Sequence, residues 1–254
     1  MRKAFFILAA VAALVSCKKM EMRKGDTSDP IAPGTVKYHS MYSADLGRTM
    51  KTTIWLPAGY DESRLYPFLY LLHGLGDDND SWNSKGNASS IADKYIHNGG
   101  EPMVIIMPDG LRSFYVGDFE TYFYGTLMPA VEEMFHCNGK RAVAGLSMGG
   151  YGTLYYSLKY PDLYTYGYAM SPVSDLSGFR VLATARESSE YPRLTIESGT
   201  QDNTVKIEGV RELAQMLTSC GLACDFIERS GGHDWYFWPV CLEKALVKIG
   251  QSFK

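Results

Sequence analysis

Three side chains that can together perform nucleophilic catalysis stand in three separate glycine-flanked segments. Ser147 lies in Gly145-Leu-Ser-Met-Gly149, after the small, apolar run that begins at Val143 and before a helix-compatible stretch, Tyr151 to Tyr160, that Pro161 stops. A strand that reverses sharply into a helix strains the serine backbone and presses neighbouring chain against it, so the positions two before and two after cannot carry bulk. Both are glycine. His233 lies in Ser230-Gly-Gly-His-Asp-Trp235, a loop supple enough to swing an imidazole over a sheet edge, and Asp202 ends Glu197-Ser-Gly-Thr-Gln-Asp202. A serine hydroxyl attacks once a base takes its proton, and the imidazole base needs an acid to fix its tautomer. The chemistry open to such a set is acyl transfer through an acyl-serine.

Other residues of the same types fit less well. Of the five histidines, His97 falls in a helical stretch, His136 near a helix end, and His39 on or before the first strand. Asp175 follows the strand after Ser147 and is the main rival to Asp202, whereas Asp109 and Asp234 read as turn caps. The chain order Ser147, Asp202, His233 is the one expected of an α/β-hydrolase. Acyl transfer also needs donors for the developing oxyanion. The N–H of Met148, next to the nucleophile, is one. The loop His73-Gly-Leu-Gly76 supplies the second, for which Leu75 N–H is the candidate; His73 itself reads as a buried support for that loop. The set needs no metal and no cofactor.

The flanking elements alternate between apolar runs and helical segments, the pattern of βαβ units around a mostly parallel sheet with helices on both faces. Strands are expected at Lys51–Leu56, Phe68–Leu72, Met103–Met107, Arg141–Leu146, Tyr164–Ala169, Arg193–Glu197 and Cys224–Glu228. Helices are expected at Ser81–Asn98, Thr126–His136, Tyr151–Tyr160, Lys206–Ser219 and from Trp235 to Gly250, with Ser113–Phe123 as an aromatic loop. In an open sheet of this kind the reacting groups collect where strands end, at the carboxyl edge.

A chain of 254 residues with 46% hydrophobic and 21% charged residues suits one sizeable core. A formal charge of -3, with no clustered cations interleaved with aromatics, argues against nucleic acid as a partner. Residues 1–16 have the layout of a secretory signal: Arg2-Lys3, then an apolar run from Ala4 to Val15 too short to span a bilayer. Leu14-Val-Ser-Cys17 resembles a bacterial lipobox, which implies lipidation of Cys17 and a membrane-anchored, extracytoplasmic protein. Residues 17–35 then read as a flexible tether and 36–254 as the catalytic domain. Cys137, Cys220, Cys224 and Cys241 remain, with Cys220–Cys224 one candidate disulfide and four free thiols the alternative.

His73-Gly-Leu-Gly-Asp-Asp78, Pro108-Asp-Gly-Leu-Arg-Ser-Phe-Tyr115, Gly145-Leu-Ser-Met-Gly-Gly-Tyr-Gly152, Gly199-Thr-Gln-Asp202 and Gly231-Gly-His-Asp-Trp235 together resemble the putative-esterase family of α/β-hydrolases. The resemblance covers about residues 36–252. That family includes feruloyl and acetylxylan esterases, tributyrin-type esterases, S-formylglutathione hydrolases and mycolyltransferases. It implies Ser147 as nucleophile, His233 as base, Asp202 as acid, and Leu75 with Met148 as oxyanion donors. Family members usually carry a longer helical insert where this chain has only residues 173–192, which implies a short lid and an open site. Export, an open cleft and aromatics near the motifs, Trp82, Phe114, Tyr115, Tyr151, Trp235 and Trp238, point to feruloyl or acetyl esters on plant polysaccharides. A broad short-chain esterase is the alternative among enzymes, and a non-catalytic glycan-binding lipoprotein the alternative outside them.

Overall fold

Strands that are apolar without interruption need cover on both faces, and that requirement sets the architecture. The computed structural model describes residues 30–254; residues 1–16 and Cys17, on which the signal and lipid-anchor expectations fall, lie outside them. Eight strands form one sheet: β1 (Thr35–Ser43), β2 (Arg48–Leu56), β3 (Tyr66–Leu72), β4 (Val104–Pro108), β5 (Cys137–Leu146), β6 (Tyr166–Met170), β7 (Arg193–Gly199) and β8 (Cys224–Arg229). Their spatial order is β1-β2-β4-β3-β5-β6-β7-β8. β1 and β2 pair antiparallel with each other, as do β2 and β4, and β3 to β8 run parallel. This is the α/β-hydrolase fold.

The helices are α1 (Ser81–Ser84), α2 (Ala88–His97), α3 (Asp118–Tyr122), α4 (Met128–Met134), α5 (Met148–Lys159), α6 (Leu176–Ala183), α7 (Ile207–Ser219) and α8 (Trp238–Ser252). Alternation along the strands divides the core between them. Leu69, Leu71, Ala142, Ala144 and Leu146 face a layer built from α1, α2 and α8. Phe68, Tyr70, Leu72 and Val143 face the opposite layer, where α3, α4 and α5 pack, and Leu194 and Ile196 continue it under α6 and α7. On α7, Ile207, Val210, Leu213, Ala214 and Leu217 recur at helical spacing and are buried, which at about 1.5–3 kcal/mol for each large side chain fixes the helix to the sheet. No described helix is long and apolar enough to cross a membrane.

Several elements depart from the sequence expectations for physical reasons. β1 had no expected bounds, only His39 on or before the first strand: its side chains are mostly polar, and its pairing with β2 rather than a buried face makes it a strand. The helix expected over Ser81–Asn98 breaks after α1. A Cβ on Gly86 would lie 2.7 Å from both the Trp235 ring and the Trp82 carbonyl oxygen, and Asn87 is left-handed at φ 53°. The expected loop Ser113–Phe123 turns helical at α3 and continues through one π-helical turn, Phe123–Leu127, into α4, because Phe119, Tyr122, Phe123 and Leu127 all reach the core. The segment 173–192 contains α6, capped by Asp175, whose carboxylate accepts from Gly178 N–H at 3.0 Å. α8 starts at Trp238 rather than Trp235, since Asp234 Oδ1 takes the N–H groups of Tyr236 and Phe237 in a turn. Cys137, Cys220, Cys224 and Cys241 are free thiols, so the candidate Cys220–Cys224 bridge is not formed.

Candidate active site

The turn from β5 into α5 explains its glycines atom by atom. A Cβ on Gly145 would lie 2.5 Å from the Gly149 carbonyl oxygen, and one on Gly149 would lie 2.4 Å from Leu72 O. Between them Ser147 adopts φ 54°, ψ -113°, a conformation costing about 1–3 kcal/mol that persists only where the surroundings impose it. Its N–H donates to Met170 O at 2.8 Å, and its carbonyl accepts from Tyr151 N–H at 3.0 Å in the first turn of α5. The side chain is thereby held at the carboxyl edge, 8% exposed.

His233 approaches from the loop after β8. Ser147 Oγ lies 2.9 Å from His233 Nε2, and His233 Nδ1 lies 2.7 Å from Asp202 Oδ2. Asp202 is buried, and its other oxygen, Oδ1, accepts from Thr204 and Val205 N–H at 2.9 and 2.7 Å. Burial pushes the Asp202 carboxyl up, but the hydrogen bonds from His233, Val205 and Thr204 prevail and hold it below its ordinary value. A carboxylate so held accepts the Nδ1 proton, which leaves the Nε2 lone pair facing the serine hydroxyl. The arrangement can withdraw a proton from Ser147 as the oxygen attacks.

Beside the serine, Asp77 N–H closes a turn onto Gly74 O at 3.2 Å, with Gly76 at φ 87° in its third position. A Cβ on Gly74 would lie 3.5 Å from Ser147 Cβ, so this turn passes directly over the nucleophile candidate. Leu75, second in the turn, exposes its side chain to solvent. Met148 N–H opens α5, where first-turn amides have no intrahelical acceptor. His73 is buried; its Nε2 accepts from Gly110 N–H at 2.7 Å and its Nδ1 lies 2.7 Å from Gly74 O. It therefore ties the Gly74 turn to the loop after β4.

The aromatic candidates divide. Trp82 and Tyr115 are 1% and 0% exposed, with Trp82 Nε1 donating to Leu72 O and Tyr115 OH to His73 O. Neither can offer a ring to a substrate; both brace the site from below. Phe114, Tyr151 and Trp235 are half-buried. Phe114 meets Tyr151 edge-to-face at 5.7 Å, and Tyr151 packs 5.0 Å from Phe179 on α6. Trp235 stands against Trp82 and Trp238, both at 5.2 Å, and Trp238 meets the His233 ring at 5.0 Å. Asp175 and Asp234 are spent on capping, and Asp109 Oδ1 accepts from Leu111 N–H. A cavity of about 560 Å³ between α2 and α8 holds none of these residues. Among the described residues no group of three or more His, Cys, Asp or Glu is arranged to hold a metal ion.

Sequence reasoning missed two supports. Gln201 Oε1 accepts from Gly231 N–H at 2.9 Å and from Ser230 Oγ at 3.0 Å, lacing the Asp202 turn to the His233 loop. Its place beside the aspartate was the available signal. Glu197 is wholly buried and pairs with Arg229 and Lys244, partners 32 and 47 residues away that no local pattern links to it.

Comparison with known proteins identifies the family. A family model described as Putative esterase matches residues 43–249. An endo-1,4-beta-xylanase/feruloyl esterase from Xylanibacter ruminicola is 26% identical in a 230-residue alignment that covers 83% of this chain and 31% of that protein. Esterase Rv1288 of Mycobacterium tuberculosis is 28% identical over 77% of this chain and 55% of its own length. The chain thus spans about a third to a half of these relatives. An acetyl esterase from Caldicellulosiruptor saccharolyticus is 26% identical over 70% of this chain and 80% of that protein. Among solved structures, a ferulic acid esterase superposes with TM-score 0.79 at 24% identity, covering 87% of this chain and all of that one. An S-formylglutathione hydrolase from Staphylococcus aureus superposes with TM-score 0.70 at 21% identity, covering 86% of this chain and 98% of its own. These two likenesses concern the fold.

Proposed function

The chain belongs to the putative-esterase family, and from that premise we propose that it is a serine carboxylesterase acting on feruloyl or acetyl esters of plant polysaccharides. The observation that carries the proposal is the continuous hydrogen-bonded line from Asp202 through His233 to Ser147 Oγ. Ser147 Oγ attacks the ester carbonyl as its proton passes to His233 Nε2. The oxyanion forms at the N–H groups of Met148 and Leu75. Collapse breaks the bond to the alcohol oxygen, which leaves with the proton from His233, and the acyl group stays on Ser147. Water then attacks the acyl-serine with His233 again as base, releasing the acid and restoring the hydroxyl.

Feruloyl and acetyl groups are favoured because feruloyl and acetyl esterases are among the proteins this chain resembles, and because Phe114, Tyr151 and Trp235, on segments that adjoin the site, are only half-buried. The short segment 173–192 keeps α6 small, which suits an ester carried on a polymer. A broad-specificity short-chain esterase is the second reading, favoured by the likeness to an acetyl esterase over most of both chains. Export belongs to the same proposal: residues 1–16 act as a signal, Cys17 is lipidated, and 17–35 tether the domain outside the cytoplasm. Palmitate labelling that persists in Cys17→Ala would remove the anchor from the account.

The substrate assay compares methyl ferulate, acetylated xylan and p-nitrophenyl acetate. Turnover of the first two supports the polysaccharide reading, and turnover of p-nitrophenyl acetate alone supports the short-chain esterase. Binding of xylan with no turnover of any ester would leave only a glycan-binding protein.

A further inference from the structure

Behind the triad lies an ion pair that the mechanism does not use. Glu197 on β7 is 0% exposed, and its Oε1 accepts from Arg229 Nε at 2.6 Å and from Lys244 Nζ at 2.7 Å, while Oε2 accepts from Tyr168 OH at 2.5 Å. Burial pushes this carboxyl up, and Lys244, Tyr168 and Arg229 more than reverse that. A buried ion pair is poor evidence for stability, since an apolar replacement often does as well. Its connections give it a different use.

Arg229 closes β8, four residues before His233. Its guanidinium lies 3.5 Å from the Phe237 ring centroid, and Nη2 donates to Phe237 O. The Phe237 ring in turn fills the space over Gly231, where a Cβ would lie 2.3 Å from Cδ2. Gly231, at φ 149°, starts the turn that carries His233, and Trp238, next after Phe237, sets its ring against the imidazole at 5.0 Å. The Arg229 carbonyl accepts from Thr200 N–H at 2.9 Å, two residues before Asp202. Arg229 thus grips the ring that shapes the histidine turn and, through its carbonyl, the turn of the acid.

We propose that Arg229, locked by Glu197, is a positioning residue that holds His233 Nε2 on Ser147 Oγ through Phe237 and Gly231. The inference rests on Ser147 and His233 acting as nucleophile and base. A misplacement of about 1 Å at such a pair costs on the order of a hundredfold in rate.

The test uses the full chain with Arg229→Met, Arg229→Lys and Phe237→Leu, measuring kcat and KM on p-nitrophenyl acetate and the rate of covalent labelling by a fluorophosphonate. Arg229→Met and Phe237→Leu should each lower kcat and the labelling rate by about tenfold or more with KM within twofold, and Arg229→Lys should recover part of the loss. A folded Arg229→Met protein that melts earlier but labels and turns over like the parent would show a purely structural pair and overturn the proposal. A rise in KM alone would overturn it too. Should Arg229→Met not fold, parental labelling and turnover of Phe237→Leu decide against it in the same way. Failure of the underlying reading has its own signature: the parent chain itself would resist the fluorophosphonate.

Discussion

Asp202 and Asp175 are both aspartates beyond strand ends at the carboxyl edge, and their hydrogen bonds separate them. Asp202 gives one oxygen to His233 and the other to two backbone N–H groups. Asp175 gives Oδ1 to Gly178 N–H and to Ser177 Oγ at the start of α6. In the proposed mechanism Asp202→Asn presents the wrong tautomer of His233 and lowers kcat about 10⁴-fold, measured on any ester the parent hydrolyses. Asp175→Ala removes a helix cap, costs about 1 kcal/mol in chemical denaturation, and leaves kcat near the parental value. Ser147 was readable because the glycines around it are imposed locally, by contacts such as that of Gly145 with Gly149 O, and Asp202 and His233 because they too stand in short glycine-bearing turns after strands. Trp82 and Tyr115 were misread because a motif does not say which side of its loop faces the core. Burial is decided by partners such as Leu72 O and His73 O, which the fold supplies.

At the scale of elements, the junction of β3, β5 and α5 decides whether the site exists. Gly149 stands where backbone from the end of β3 passes closest, with Leu72 O and His73 O at 2.4 and 2.7 Å from a Cβ built on it. Those atoms belong to main chain and cannot swing aside. Gly149→Ala should therefore destabilise the protein by about 1–3 kcal/mol and displace the His73–Asp77 turn, so that turnover falls even in the folded fraction; urea unfolding and an ester assay at a permissive temperature measure the two effects. β3 and β4 were legible as continuous apolar runs. β1 was not, because an edge strand with alternating polar residues depends on its register with β2, Thr35 opposite Leu56 through Ser43 opposite Arg48. The break between α1 and α2 was hidden for a similar reason, since the ring that crowds Gly86 comes from Trp235.

Across the whole molecule, two buried carboxylates beside β7 and β8, Glu197 and Asp202, are shifted in the same direction. Glu197 and Asp202 both titrate below their ordinary values of 4.5 and 3.8. A carboxyl depressed by folding contributes its stability in full above the unfolded pKa and loses it as pH falls through the folded one. Melting temperature should hold above about pH 5 and then drop progressively toward pH 3, with a shallower drop in Glu197→Gln. A melting temperature that rose on acidification would contradict the sign. The depression of Glu197 could not be read from the chain, because Glu197 finds Arg229 and Lys244 only after the sheet and α8 have assembled.

The most direct test of the central claim is pre-steady-state hydrolysis of p-nitrophenyl acetate by the parent and by Ser147→Ala, with mass spectrometry of the acid-quenched protein. The account predicts that acyl mass appears in the parent on the peptide containing Ser147, and that Ser147→Ala loses at least about 10⁴-fold in turnover with no acyl adduct. Turnover in Ser147→Ala equal to the parent, or an acyl group carried on another residue, would contradict it.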